Sequence, residues 1–226
     1  MDKKTNLIKT DKNFSSIKDN AKRQGSCYDN CCAAVIAREA KLLHLKTTLD
    51  FNTIKNKIKE KFWIAEYFRD TEEKTRKNAK KDTQETVYVA GDANTFPFWF
   101  HIFTEKEMGE KAIKAVQKEK LETKFPLKYT SFIPNNFFFP LSLLAPNYEG
   151  NTIWAHMGLC YIDVVARTNK ALARKYLKEY EEQIKVHKTF LELYDAEGNP
   201  YKSFFYITDE GMLWASKWLA LKKAVL

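Results

Sequence analysis

Glycine and proline are scarce in this sequence, with 7 and 6 residues among 226. All-β folds with many turns need these residues at the turns, so their scarcity argues against a sandwich or barrel of short strands. Hydrophobic residues make up 44% of the chain, and aromatic residues 14%. This composition is sufficient to bury a core, and we expect residues 1–226 to form a single domain.

Long apolar runs are also missing. No stretch approaches the roughly 18 consecutive apolar residues of a membrane-spanning helix, so we expect no transmembrane helix and no membrane partner. Residues 1–14, MDKKTNLIKTDKNF, lack the apolar segment of a secretory signal peptide. Both features predict a cytoplasmic protein.

Cysteine is rare as well, with four residues in the chain. Without an export signal, structural disulfides are not expected. The pairs Cys27 and Cys31, and His156 and Cys160, have the spacing of one helical turn, from which a zinc site can be drawn. The usual Cys-x2-Cys knuckle is absent, and thiols on helices more often pack in a core. We therefore predict no metal site and no cofactor.

A papain-like cysteine hydrolase is an alternative that uses some of the same residues. Gln24, Cys31 and His156 can be assigned as oxyanion donor, nucleophile and base. Cys31 lies near a predicted helix start, where the helix dipole lowers a thiol pKa. The papain-like fold, however, places its histidine on a strand, whereas the pattern around His156 is typical of a helix. This is the minor enzyme alternative.

The net charge is +9, from 38 basic and 29 acidic residues. Such an excess can indicate nucleic-acid binding. Much of it comes from the mixed run EEKTRKNAKKD at 72–82 and from lysines dispersed over predicted helix surfaces. No RNP, zinc-finger or basic-zipper pattern accompanies it. We therefore predict no nucleic-acid partner.

Helical periodicity dominates the sequence. Apolar residues recur at helical spacing in six segments: Tyr28–Leu45, Leu49–Trp63, Thr104–Leu121, Gly150–Thr168, Asn169–Tyr194 and Thr208–Val225. The fourth segment is apolar nearly all round, which predicts burial on most sides. Asp50 is a predicted N-cap, and Thr104 and Glu107 form a predicted capping box. The stretch ETVYVAGDA at 85–93 predicts a short β-hairpin. Six helices in sequence suggest three stacked α-hairpins.

Six short motifs follow one another along the chain. They are FWIAEYFRD at 62–70, GDANTFPFWF at 91–100, PLKY at 126–129, NYEGNTIWAHMG at 147–158, FLELYDAEGNPY at 190–201 and YITDEGMLWASKWL at 206–219. Their order and spacing resemble the C-terminal part of an (α/α)6-barrel glycoside hydrolase. The similarity is to the inverting clan of trehalases, family 63 glucosidases and archaeal amylo-α-1,6-glucosidase-like proteins. It implies an all-α fold that forms about half of an (α/α)6 toroid, incomplete on its N-terminal side and carrying the short β-hairpin as an insertion.

The resemblance also implies a catalytic base. Glu192, in Glu-x-Tyr-Asp, would deprotonate the water that attacks an α-glucoside. Inverting hydrolysis needs a second, protonated carboxyl group roughly 6.5–9.5 Å away. The segment TDKNFSS at 10–16 offers Asp11 as that acid. If Asn13 occupies the equivalent position instead, the chain is a binding-only relative, because an asparagine cannot protonate a leaving group.

Aromatic and polar side chains in or beside the predicted loops are the expected sugar contacts. The candidate substrate-binding residues are Asp92, Asn94, Trp99, Tyr148, Trp154, Tyr194 and Trp214. Glu149 replaces an arginine that is common in the family's Tyr-x-Gly-x-x-Trp motif. A half-toroid would expose apolar helix faces, so we expect a second chain, or self-association, to complete it.

Overall fold

The computed structural model describes residues 2, 6–8, 17–18, 23, 25–71, 88–133 and 143–225. These residues contain seven α-helices. The helices are α1 Cys27–Leu42, α2 Phe51–Phe62, α3 Gly91–Trp99, α4 Lys106–Lys118, α5 Ala155–Ala166, α6 Lys170–His187 and α7 Met212–Val225. The strands are β1 Trp63–Ile64, β2 Tyr67–Phe68, β3 Ile153–Trp154 and β4 Leu193–Tyr194. The prediction of a mostly helical protein is thus confirmed.

The strands form two small antiparallel pairs. β1 pairs with β2 in a hairpin, and β3 pairs with β4 with Ile153 opposite Tyr194. The hairpin predicted at 85–93 is not where the structure places one. Residues 85–87 lie outside the described residues, Val89 forms an isolated bridge with Arg69, and Gly91 to Ala93 are helical. The prediction was wrong for the residues that can be compared.

Helix starts follow local hydrogen bonding. The Asp50 carboxylate accepts a hydrogen bond from the Thr53 backbone N–H at 2.7 Å, which confirms the predicted N-cap of α2. The predicted capping box of α4 is wrong. Its N-cap is Glu105, whose carboxylate instead accepts from the Thr104 backbone N–H at 2.9 Å. The capping-box pattern thus located the first turn of α4 correctly but placed the N-cap one residue too early.

Helix α3 was not predicted. Every residue from Gly91 to Phe98 is buried, so this helix has no solvent-exposed face, and its sequence shows no helical period. Gly91 itself sits where an added Cβ atom would overlap the Lys128 carbonyl oxygen. This close approach explains a glycine at a helix start that has no side-chain cap.

Helix α5 is the centre of the described fold. It contacts α3, α6 and α7, and nine of its residues are buried. The predicted burial on most sides is confirmed. The buried side chains of the described residues form one hydrophobic cluster that runs from Leu7 to Val225.

Gly158 allows α5 to pack against its neighbours. A Cβ atom at this position would overlap both the Pro126 carbonyl oxygen and the Tyr180 hydroxyl. The Tyr180 hydroxyl also donates a hydrogen bond to that same carbonyl. A side chain at 158 would therefore push apart a fully buried contact between α5, α6 and the chain at Pro126.

We expect Gly158→Ala to lower the free energy of unfolding by about 3 kcal/mol, because overpacking of a core forces backbone shifts. Gly109→Ala in α4 is the matched control. A Cβ atom there would first meet Phe98 at 3.7 Å, an ordinary contact. Alanine favours helix by about 0.5–1 kcal/mol over glycine, so this variant should gain stability. Urea unfolding of both variants measures the difference, and equal effects would contradict the close packing at Gly158.

Candidate functional site

Glu192 lies where three segments of the chain meet. Helix α6 ends at His187, and Lys188 follows in the left-handed conformation with a φ of 61°. The Glu192 N–H donates to the Asp209 carbonyl at 3.1 Å, and its carbonyl accepts from the Ala155 N–H at 2.9 Å. The backbone of Glu192 is thus fixed between the start of α5 and the loop that precedes α7.

The Glu192 carboxylate is partly exposed and is held by one tyrosine. The Tyr206 hydroxyl donates to Glu192 Oε1 at 2.7 Å. Burial raises the pKa of Tyr206 far above its usual value, and the hydrogen bond to Glu192 raises it further. The tyrosine therefore stays protonated and acts as a fixed donor to the carboxylate at physiological pH.

An unbroken series of aromatic contacts begins at Tyr206, the ring that binds this carboxylate. Tyr206 packs against Tyr148 with ring centroids 5.2 Å apart, and Tyr148 against Trp154 at 4.9 Å. Trp154 then contacts His156 at 5.3 Å, and His156 contacts Trp214 at 5.5 Å. We call Glu192 and these five rings the Glu192 site.

His156 is partly buried within this ring series. Burial lowers the pKa of its imidazole to about 4. The ring is therefore neutral at pH 7, where it can donate one hydrogen bond and accept another. Trp154 is fixed beside it because its indole Nε1–H donates to the Tyr148 carbonyl at 3.0 Å.

Four of the predicted site residues meet here: Glu192, Tyr148, Trp154 and Trp214. Tyr206 was not among the predicted residues, although it begins the motif YITDEGMLWASKWL. Its signal is weak, because nothing local to residue 206 indicates that its hydroxyl reaches a carboxylate fourteen residues earlier.

Trp99 and Tyr194 lie away from the Glu192 carboxylate in this structure. The Trp99 indole donates to Asp163 at 3.2 Å, and the same carboxylate pairs with Lys217 at 2.6 Å. The Tyr194 ring is 1% exposed and packs edge-on against Phe125 at 4.8 Å. Burial raises the pKa of Tyr194 to about 12. Tyr194 is therefore a core side chain, and Trp99 belongs to a polar contact between α3, α5 and α7.

Asn94 is also buried, and its side chain binds backbone. Its Oδ1 accepts from the Phe68 N–H at 2.8 Å, and its Nδ2 donates to the carbonyls of Phe68 and Ala90 at 2.9 Å each. These bonds attach β2 to α3. Asp11, the predicted acid, lies outside the described residues.

Asp92 belongs to a buried ion cluster, which we define as Lys18, Arg23, Asp70 and Asp92. Arg23 Nη1 lies 2.6 Å from a carboxylate oxygen of Asp70 and 2.6 Å from one of Asp92. Lys18 Nζ lies 3.6 Å and 3.7 Å from the same two carboxylates. The Tyr88 hydroxyl donates to Asp70 at 2.8 Å. The two cations balance the two anions, so the cluster is formally neutral.

The two cations of the cluster lower the pKa of the Asp70 carboxyl group. Burial alone raises the pKa of a carboxyl group, but the facing Arg23 and Lys18 cations more than offset this effect. The pKa of Asp70 falls to about 2. The ionised form is thus the stable one in the folded protein at any pH above that value.

The cysteines pack as thiols. Cys27, Cys31 and Cys160 are buried, and burial raises the pKa of Cys160 to about 12. Cys31 has 0% exposure, which leaves a substrate no access to its sulfur in this conformation. Gln24 lies outside the described residues. Within the described ranges, no group of three or more His, Cys, Asp or Glu side chains is arranged to hold a metal ion.

No helix in the described part of the chain is long and apolar enough to cross a membrane. Comparison with models of known protein families and with curated proteins finds no match for this sequence.

Proposed function

We propose that this chain is the C-terminal part of an inverting (α/α)6 glycosidase that hydrolyses α-glucosides, with Glu192 as the general base. The single observation that carries the proposal is a partly exposed carboxylate, held by the hydroxyl of a tyrosine that begins a series of aromatic rings in contact. Active sites of glycosidases combine these same elements. Aromatic rings stack on the apolar faces of sugars, and a carboxylate removes a proton from the attacking water.

Glu192 offers its two carboxylate oxygens for different tasks. Oε1 accepts the Tyr206 hydrogen bond, and we assign Oε2 to the attacking water. The backbone hydrogen bonds on both sides of Glu192 hold its Cα in place. The carboxylate therefore has fewer conformations to lose when it adopts the reactive geometry. In this mechanism the base takes a proton from water as the water oxygen attacks the anomeric carbon.

The rings supply the sugar-binding surface in this proposal. Trp154 and Trp214 flank His156, and Tyr148 connects Trp154 to Tyr206. A neutral His156 can bond a sugar hydroxyl without bringing a charge close to the oxocarbenium-like transition state. Asp11 is the candidate acid. The alternative is a binding-only relative in which that acid is absent.

A partner chain, or a second copy, would complete the toroid. Exposed apolar side chains favour this part of the proposal. They follow the Ser203 turn and the start of α7, next to Tyr206 and Trp214. Phe204 is 91% exposed and Leu213 86%, and Phe205, Ile207 and Met212 are exposed as well. Surfaces of this kind mark sites of association.

The stereochemistry of the product tests the proposed reaction. We expect an α-glucoside to release glucose first as the β-anomer, because one direct attack by water inverts the anomeric carbon. Time-resolved proton NMR resolves the two anomers before they equilibrate. The protein should be assayed both alone and together with any chain that co-purifies with it.

Each outcome has a distinct meaning. Initial release of the α-anomer would contradict the inverting mechanism. Binding of a glucoside without any glucose release, in both preparations, would favour the binding-only relative. Absence of both binding and hydrolysis across a set of α-glucosides would contradict the proposed function.

A further inference from the structure

A groove of about 660 Å³ lies between the β1–β2 hairpin and helix α4. Its volume falls within the range of roughly 300–1,000 Å³ that is usual for small-molecule sites. None of its lining residues belongs to the Glu192 site. The groove is therefore a separate feature, and a role for it does not depend on the proposed glycosidase activity. We call it the α4 groove.

Aromatic side chains form one wall of the α4 groove. Tyr67, Tyr88 and Phe132 line it, and Tyr88 packs edge-on against Phe132 with ring centroids 5.2 Å apart. The Tyr88 hydroxyl is anchored on Asp70 in the buried ion cluster. This anchor holds the ring in place before any ligand arrives, which lowers the entropy cost of binding.

Lysines of α4 also line the groove. Lys111, Lys114 and Lys118 follow one another on a single face of α4, and the small Ala115 lines the groove beside them. Lys111 is paired with Glu107 at 2.8 Å. Lys114 and Lys118 form no ion pair with any of the residues that the structure describes.

Two glutamates also line the groove, and they limit which anions fit. The Glu119 carboxylate accepts from the Ser131 hydroxyl at 3.3 Å, and Glu66 lies at the tip of the hairpin near Lys111. The two unpaired cations, Lys114 and Lys118, are therefore the groups available to an added negative charge. Together they match a phosphate group, which carries a charge of about −1.5 to −2 at pH 7.

We propose that the α4 groove binds a planar aromatic ring joined to a phosphate, which is the chemistry of a mononucleotide. The ring contacts the wall formed by Tyr67, Tyr88 and Phe132. The phosphate lies against Lys114 and Lys118. Ring stacking and charge neutralisation are separate contributions, so a ligand that lacks either part should bind more weakly.

Titration calorimetry on the full chain tests this inference, with AMP, adenosine and inorganic phosphate as the three probes. We expect AMP to bind more tightly than either of the others, and its affinity to fall as salt is added. The double variant Lys114→Ala, Lys118→Ala should weaken AMP binding about tenfold. Phe132→Ala should weaken AMP binding while leaving the weak binding of phosphate unchanged.

The matched control is Lys170→Ala, Lys178→Ala, which removes two exposed lysines from helix α6. This variant has the same net charge as the groove variant and should bind AMP like the parent. Circular dichroism checks that every variant is folded. The inference is overturned if AMP does not bind at millimolar concentration, if adenosine or phosphate binds as tightly as AMP, or if the two double variants behave alike. Glucoside hydrolysis is measured in parallel and should be the same in both double variants.

Discussion

Replacing Glu192 with glutamine is expected to slow hydrolysis of α-glucosides by roughly 10²–10⁴-fold, which is the usual contribution of a general base. The amide keeps the shape of the carboxylate and can still accept the Tyr206 hydrogen bond at its oxygen. It cannot take a proton from water. Sugar affinity should therefore change little, because the ring contacts remain. Initial rates and calorimetric binding, measured on the same preparation, separate the two effects.

Glu197→Gln is the matched control for this substitution. Glu197 is exposed in the turn just after β4, where its backbone N–H donates to the Asp195 carboxylate at 3.0 Å. Among the described residues it forms no hydrogen bond or ion pair with the Glu192 site. It should hydrolyse at the parent rate. A Glu192→Gln protein as active as this control would show that Glu192 is not the base. Loss of sugar binding along with activity would instead assign Glu192 to binding.

The candidate site could be predicted from the sequence only in part. Glu192, Tyr148, Trp154 and Trp214 each lie in one of the six motifs, and the structure brings them together. Which of the candidate residues lie next to one another could not be predicted from the sequence. Asp92 and Asn94 were expected to face a substrate, and a sequence cannot distinguish a polar group facing a ligand from one bound to buried partners. Arg23 and Asp92, for example, pair across 69 residues.

Replacing Arg23 with methionine is expected to lower the free energy of unfolding by about 3–5 kcal/mol, because it leaves the two buried carboxylates with Lys18 as the one cation remaining in the cluster. Urea unfolding at pH 7 measures this loss. Lys57→Met is the control, since Lys57 pairs with Glu60 at the surface. Exposed pairs contribute about 1 kcal/mol or less. Equal effects of the two substitutions would contradict a buried ion cluster.

The free energy of unfolding, measured at acid pH, gives a second test of the buried ion cluster. The folded pKa of Asp70, about 2, lies below the ordinary carboxyl value of 3.8. A depressed pKa contributes stability above the unfolded value, and this stability is lost as the pH falls through the folded value. The parent should therefore lose on the order of 2 kcal/mol from this group between about pH 4 and pH 2. Arg23→Met should lack most of this loss.

The helices were easier to predict than their ends and pairings. All six predicted segments contain a helix. Apolar residues at helical spacing identify the side of a helix that packs against the core, so amphipathic helices can be recognised from the sequence. α3 was missed since it is buried on every side. The segment predicted as helix to Tyr194 ends at His187 because β4 pairs with β3, and tertiary hydrogen bonds outweigh local helix preference. No glycine marks that end, and Lys188 takes the left-handed conformation itself.

The central position of α5 has a consequence for how the chain folds during synthesis. α3, which packs against α5, precedes it in the chain, so one side of α5 can be covered as soon as it leaves the ribosome. α6 and α7 come later, and 59 residues separate Ala166 from Val225. At 5–20 residues per second, translation of that stretch takes roughly 3–12 s. During those seconds the most apolar of the seven described helices carries an uncovered face. This is the interval in which a nascent chain of this protein most needs a chaperone.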